Sequence, residues 1–336
     1  MPNTILIIGG TQVTTSDLHL LYHRAFRALG WRSIFLSNDS HLPSSEKILQ
    51  QSRLRFSRLH FALFNARVRS AVRKYRPQLV FISGSNWLLT PDTVAFIQKK
   101  FDARVALNEQ HLQVFRTAQA ECLPLYDHVF TQDSGLVALL RHASPVRSVS
   151  LLGPACDPKE HRPLMLTDAD RSALSADVSY LGFAYPNRLD LFEGLTEFRI
   201  RLWGIGWERS EILRPFYNPM PIHGLMKTRI YNATTINVNL QSVTYQLDGV
   251  TCRPFEVAAC GGFCICDSRR DLDRYFKLGE EVIAFHDANE LKELIRYYLK
   301  HPLERTQIAA AARMRVLAEH TYEHRARQVL AEVGLS

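Results

Sequence analysis

Long apolar runs are scarce in this 336-residue chain. The opening stretch MPNTILII is short, has no basic leader and meets Gly9 and Gly10 at once, so neither a signal peptide nor a membrane span is expected there. A strand in a cytoplasmic protein is the reading. A disulfide framework is lacking too. Six cysteines in a chain of this size, four of them at 252, 260, 264 and 266, do not resemble a secreted scaffold, and buried free thiols are expected. Cys264 and Cys266 alternate as in a strand, with no Cys or His partner following at zinc-site spacing, so no metal is expected. The stretch GGTQVTTSD lacks the third spaced glycine of a dinucleotide fingerprint, and no cofactor is expected. Finally, there is no biased tract: 46% apolar and 22% charged residues describe an ordinary globular protein rather than a disordered or fibrous one.

What is present is a repeated alternation of apolar runs and helical patterns. TILIIGG (4–10), SIFLSND (33–39), QLVFISGS (78–85), ARVALNEQ (103–110) and HVFTQD (128–133) read as about five strands, with helices between them. That is a doubly wound domain over 1–150. The segment 151–175, with its prolines and charges and little periodicity, reads as a linker. A second series then opens with DVSYLGFA (177–184) and continues through IRLWGIGW, INVNLQ, FCICDS and EVIAFHD, giving a second domain over 176–318. The terminal segment 319–336 reads as a helix packing back on the first domain. The fold class is therefore α/β, two tandem Rossmann-like doubly wound domains, which would face each other across a cleft. Open sheets of this kind bind ligands outside the C-terminal ends of their strands, beside the point where strand order reverses.

The formal charge of +8 is concentrated in the basic segment from Arg53 to Gln78. An excess of cations suits anionic ligands or peripheral contact with a membrane surface. The aromatic residues of that segment fall on a core face, which disfavours specific nucleic-acid binding.

The stretch LDGVTCRPFEVAACGGF (247–263) concentrates the chemistry. Thr251 is placed to cap a short helix, Pro254 is tolerated in its first turn, and Gly261 and Gly262 stop it. Asp248 then lies on the entering loop and Glu256 near the first turn. A helix start offers free N–H groups to a phosphate. Two carboxylates with amides between them could accept from the hydroxyls of a sugar diphosphate; equally, Glu256 could only favour the helix start and Asp248 only make a turn with Gly249.

The run from Arg253 through RPFEVAACGGFCICDSRRDLDRYF to EHTYEHRA at Ala326 resembles the C-terminal signature of the CgeB-like, spore maturation protein type, glycosyltransferases, a GT-B group. DVSYLGFAYPNR, LWGIGW and IYNATTINVNLQ resemble, more weakly, segments upstream in that family. The N-terminal domain matches in pattern alone. The resemblance implies a GT-B architecture with a donor site in the C-terminal domain. By that resemblance Asp248 meets the donor sugar and Glu256 the ribose, although the family more often has Glu at the first position. Arg188 fits the arginine of a diphosphate-binding Arg and Lys pair. No lysine stands at the expected distance, leaving Arg253 or Lys227 as substitutes. Gly182, Asn239 and Gly249 complete the expected donor contacts.

At the acceptor side, Gly9, Gly10 and Asp17 border the first strand end, and Glu109 and His111 follow a strand end where either could take an acceptor proton. Asp168 and Asp170 match a metal-binding spacing formally but lie in the linker and read as solvated surface. His320 and His324 read as packing and capping residues. The function implied is transfer of a sugar from a nucleotide-diphosphate sugar, a UDP-sugar, to a hydroxyl on a glycan, protein or small molecule without a metal. A sugar-nucleotide epimerase on the same fold and a non-catalytic nucleotide-sugar or nucleic-acid binding protein are the alternatives.

Overall fold

The computed structural model describes residues 3–9, 18–37, 57–83, 89–109, 123–143, 145–220, 222, 224–241 and 247–335. The chain forms two compact units, one of Met1–Leu152 with Tyr322–Ser336, the other of Gly153–Thr321.

The first unit contains β1 (Thr4–Gly9), α1 (Leu18–Ala28), β2 (Arg32–Ser37), α2 (Ser57–Tyr75), β3 (Leu79–Ser83), α3 (Pro91–Phe101), β4 (Arg104–Asn108), β5 (His128–Thr131), α4 (Ser134–Ala143) and β6 (Val149–Leu151), and is completed by α11 (Tyr322–Glu332). Its sheet runs β2-β1-β3-β4-β5-β6, with every pair parallel. The central strands are apolar on both faces because helices cover both. On one face Ile8, Ile82, Leu107 and Val129 pack beneath α2, α3 and α4. On the other, Tyr22 and Phe26 of α1 meet Phe81, and Tyr22 meets Tyr322 of α11 edge to face at 5.3 Å. The terminal helix is tied further by Gln328, which donates to the Leu151 carbonyl at 2.9 Å, and by Glu332, 3.1 Å from His128.

The second unit contains α5 (Asp168–Leu174), β7 (Ala176–Leu181), α6 (Pro186–Glu193), β8 (Ile200–Trp203), β9 (Tyr217–Asn218), α7 (Leu225–Ala233), β10 (Thr234–Asn239), α8 (Arg253–Ala259), β11 (Cys264–Asp267), β12 (Ile283–Phe285), α9 (Ala288–Lys300) and α10 (Pro302–Glu319). The strand order is β12-β11-β10-β7-β8-β9, again all parallel. Val178, Tyr180, Ile236 and Ile265 pack on one face with Phe192, Trp207, Leu291 and Ile295. Leu181, Cys264 and Cys266 pack on the other with Tyr231, Phe255, Val257 and Val316. Strand order reverses between β1 and β3 in the first sheet and between β7 and β10 in the second.

Three local expectations change. Each sheet has a sixth strand, β6 and β9, too short to carry a period in the sequence. Thr167-Asp168-Ala169-Asp170 is not loose surface: Thr167 Oγ1 accepts from the Asp170 N–H at 3.1 Å and Asp170 bonds back to Thr167, a capping box that starts α5. Thr251 does not cap α8, because the helix begins one residue later than that would allow; its hydroxyl donates instead to Asn239 Oδ1 at 3.0 Å. Among the described residues no helix is long and apolar enough to cross a membrane.

The ends of β7 and β8 approach closely. Gly182 N–H donates to the Trp203 carbonyl at 2.9 Å, and the Trp207 indole N–H donates to the Gly182 carbonyl at 2.9 Å. Gly204 holds φ +117, and a Cβ there would overlap the Gly182 carbonyl oxygen and stand 2.6 Å from its carbon. Gly204→Ala is therefore expected to destabilise the protein by more than about 2 kcal/mol. The urea midpoint measures this, and an unchanged midpoint would contradict the close approach.

Candidate functional site

The reversal point of the second sheet is built around two arginines and one tyrosine. Proline at the start of α8 fixes where that helix begins, and Arg253 is its first residue. From there Arg253 Nη1 donates to Asn239 Oδ1 at 2.8 Å, at the end of β10, and Nη2 donates to the Leu181 carbonyl, at the end of β7. One guanidinium thus spans the two strands between which the order reverses. Arg188 sits in the first turn of α6, another helix that opens with proline. Its Nη1 donates to the Phe183 carbonyl at 2.8 Å and its Nη2 to the Leu240 carbonyl at 2.9 Å. Tyr180 lies between them. Its ring is 5.1 Å from the Arg188 guanidinium and 4.6 Å from that of Arg253, and its hydroxyl donates to the Leu240 carbonyl at 3.1 Å.

Arg188 is buried and Arg253 half-buried, and Nε of each has no partner. Among the described residues no carboxylate stands within ion-pair distance of either; the carboxylate at the adjoining strand end, Asp267, is paired with Arg269 at 2.7 Å. Burial pushes the Arg188 pKa down. For Arg253 burial acts in the same sense, but Tyr180, Tyr231 and Glu256 outweigh it and raise the pKa. Arginine remains charged in either case. Beside them Gln241, 1% exposed, has neither amide atom hydrogen-bonded. Gly182, at φ +153, has no side chain to obstruct this corner: a Cβ would stand 3.1 Å from Arg253 Nη2. Sequence reasoning pointed to Arg188, Arg253, Asn239 and Gly182, and the structure brings them together. Gln241 was missed, since a lone glutamine after a strand carries no signal.

Glu256 faces elsewhere. One turn beyond Arg253, it is 3% exposed. Its Oε1 accepts from Lys227 Nζ at 2.7 Å and its Oε2 from the Tyr231 hydroxyl at 3.0 Å. His161 Nδ1 accepts from the Asp157 N–H at 3.1 Å, which leaves the proton on Nε2, 3.7 Å from Glu256 Oε1. Burial lowers the His161 pKa more than Glu256 raises it, so the ring is neutral at pH 7 and gains charge only in acid. Burial alone would raise the Glu256 carboxyl; Lys227 first, then His161, outweigh it and hold the group down to about 2. Tyr231 and Cys260 are pushed up, in both cases by burial first and Glu256 second. Lys227, one of the two substitutes considered for the missing phosphate lysine, is thus committed to Glu256, and Arg253 is the cation beside Arg188. Lys227 and Tyr231 share one face of α7 at a spacing of four residues. That spacing was visible in the sequence; its carboxylate partner was not.

Asp248 lies on the loop before α8, 3.8 Å from Arg270 Nη1, with its side chain 27% exposed. Gly249 beside it is buried. In the first unit Gly9 ends β1, where a Cβ would stand 2.7 Å from His19 Cβ, so this glycine admits the start of α1. Glu109 follows β4, buried, its N–H donating to the Phe130 carbonyl at 2.9 Å. Gly10, Asp17 and His111 lie outside the described residues. His320 is packed among Phe255, Tyr275 and Phe276.

Glu256→Ala would strand a buried ammonium, so a loss of about 3–5 kcal/mol is expected, largely recovered in Glu256→Ala/Lys227→Met. Because the folded-state pKa of Glu256 lies below its ordinary 4.5, its contribution is complete above about pH 4.5 and lost as pH falls towards 2. Its size is about 3 kcal/mol. Urea unfolding from pH 6 to pH 3 checks this: Glu256→Gln should show a shallower acid decline than the wild type, and equal slopes would exclude the paired carboxylate.

Residues 188–331 match a family model described as glycosyl transferase-like. The spore protein CgeB of Bacillus subtilis strain 168 is 24% identical over 184 residues, covering 49% of this chain; the chain spans about half the length, 56%, of that relative. Among solved structures, a sucrose-phosphate synthase from Thermosynechococcus elongatus superposes with a TM-score of 0.68 at 16% identity, covering 97% of each chain. Anabaena HepE in complex with UDP-glucose does so with a TM-score of 0.65 at 11% identity, covering 98% of this chain and 99% of the other. The two parallel sheets, each with its own reversal point, thus have the fold of GT-B glycosyltransferases, and from Arg188 onward the chain matches the glycosyl transferase-like family.

Proposed function

We propose that the chain is a glycosyltransferase that takes a sugar from a nucleotide-diphosphate donor, a UDP-sugar, and passes it to an acceptor hydroxyl. The observation that carries this reading is the pair of guanidiniums, Arg188 buried and Arg253 half-buried, at a sheet's reversal point, with no carboxylate within ion-pair distance among the described residues. Burying two like charges without counter-charge is costly. A diphosphate lying there would supply the missing anion and accept from the two free Nε–H donors. UDP as the nucleotide is supported by the HepE structures with UDP and UDP-glucose, which share the fold.

In the reaction the bond between the sugar C1 and the diphosphate oxygen breaks, and its electron pair stays with the diphosphate. The acceptor oxygen bonds to C1, and its hydroxyl proton leaves to a base or to the departing phosphate. Negative charge gathers on the diphosphate as the bond opens, so fixed guanidiniums there stabilise the transition state more than the ground state. This supports a transfer that needs no metal for charge. Gly182 and Gly249 would let the backbone approach the donor, and Asn239 would keep Arg253 aimed. Glu256 would meet the ribose through a lone pair left over from Lys227 and Tyr231, and Asp248 would meet the sugar. Glu109 and His111 remain the proposed proton acceptors in the N-terminal domain. That domain would carry the acceptor, a glycan, protein or small molecule. A cytoplasmic location with peripheral membrane contact fits the basic composition.

Titration calorimetry with UDP and with uridine tests the assignment. Arg188→Ala and Arg253→Ala should each weaken UDP binding by about ten- to a hundredfold, the worth of one or two charge-assisted hydrogen bonds, while changing uridine affinity little. Equal losses for both ligands, or none, would remove the arginines from the diphosphate.

A further inference from the structure

We infer that the C-terminal edge of the first sheet carries a recognition subsite for an uncharged, hydroxyl-rich acceptor, read by Asn108 and Ser83; the word acceptor rests on the transferase reading above. Ser83 ends β3 and Asn108 ends β4, and they are register partners, so their side chains leave the sheet on the same face. Ser83 is also the register partner of Gly9, across the line where strand order reverses. This is the place at which an open parallel sheet takes a ligand.

Both residues are polar, more than nine-tenths buried, and unsatisfied. Asn108 is 1% exposed, and neither its Oδ1 nor its Nδ2 has a hydrogen-bond partner. Ser83 is 6% exposed, and its Oγ has none. Buried amides without partners are rare, because the protein loses their bonds to water and gains nothing in return. One such amide and one such hydroxyl at adjacent strand ends, on one face of the sheet, mark a surface made to be completed by something else.

The chemistry of the edge defines what that is. An asparagine amide donates through Nδ2 and accepts through Oδ1, which matches two neighbouring hydroxyls of a saccharide. Serine can add a bond of either sense. Neither group can neutralise an anion. Among the described residues at or just past the ends of β1, β3, β4 and β5, Gly9, Ser83, Asn108, Glu109, Thr131, Gln132 and Asp133, none is cationic and two are acidic. A phosphorylated or carboxylated acceptor would meet no counter-charge among these described residues. A site built to hydrogen-bond hydroxyls also discriminates strongly against analogues lacking them, since its own polar groups are then left unpaired.

The test uses the full chain with saturating UDP and, as probes, glucose, galactose and mannose against glucose 6-phosphate and glucuronate, read by ligand-observed NMR. At least one neutral hexose should bind saturably, at least tenfold tighter than either anionic sugar. Asn108→Leu should abolish this and Ser83→Ala weaken it several-fold, both with UDP affinity unchanged. Without ligand, Asn108→Leu should melt at or above the wild-type temperature, because it removes an unsatisfied amide. Tighter binding of the anionic sugars, hexose binding unchanged in both variants, or no saturable hexose binding would overturn the inference. So would a lower melting temperature for Asn108→Leu, which would show the amide held by structural water. Loss of UDP binding by the wild-type chain would instead strike the donor reading and leave the hexose result to stand or fall alone.

Discussion

The interaction on which the second unit's chemistry depends is the seating of two guanidiniums around Tyr180. Cations seldom sit in a protein interior without a carboxylate, because desolvation is repaid only by a close counter-charge. Here the repayment is partial and neutral: strand-end carbonyls, one asparagine and an aromatic face. These hold the arginines in place without cancelling their charge. What remains is a positive potential at the point where strand order reverses, stored in rigid side chains before any ligand arrives. Such preorganisation is what makes charged groups effective in catalysis, since no reorientation is required as negative charge develops.

The short helix α8 divides opposite charges between two environments. Its first residue, Arg253, reaches outward over the strand ends. Three residues later Glu256 turns to Lys227, Tyr231 and the neutral His161. Were Glu256 to reach Arg253 instead, the guanidinium would acquire its own carboxylate and the positive potential there would be quenched. Lys227 prevents this by holding the carboxylate at 2.7 Å. The Lys227–Glu256 pair is thus more than a local stabilising contact, because it leaves Arg253 without a carboxylate in ion-pair contact among the described residues. A proline start fixes the helix phase, so the division follows from where the sequence places Pro254.

Much of this was legible in the sequence, for reasons that differ by residue. The two sheets were readable because strands covered on both faces must be apolar throughout, and such runs stand out. β9 was not, since two residues make no pattern. Glu256 was visible by its place near a helix start, and Arg188 and Arg253 only through the resemblance to the glycosyltransferase family. Their partners were not. Lys227 and Tyr231 reach Glu256 only because α7 packs on α8, and His161 arrives from a segment that reads as irregular linker. Hydrogen-bond partners distant in sequence are set by packing, and no local periodicity encodes them. Asn108 and Ser83 were hidden for another reason: each is an ordinary small polar residue closing an apolar run, and only the absence of a partner in three dimensions singles them out.

The two sheet edges differ in a way that bears on how a transfer reaction can be divided. The edge in the second unit gathers two guanidiniums with, among the described residues, no carboxylate within ion-pair distance, whereas the edge in the first gathers neutral and acidic groups and, among its described strand-end residues, no cation. In glycosyl transfer charge accumulates on one partner alone, the departing diphosphate. The other partner contributes a hydroxyl whose oxygen becomes less negative as its bond to carbon forms. Cations near that oxygen would lower its nucleophilicity, and carboxylates near it could take its proton. Positive potential on one edge, and acids and neutral amides on the other, would suit the two halves of the proposed reaction. Glu109, buried at the end of β4 beside the Asn108 that precedes it, belongs on the acidic side of that division.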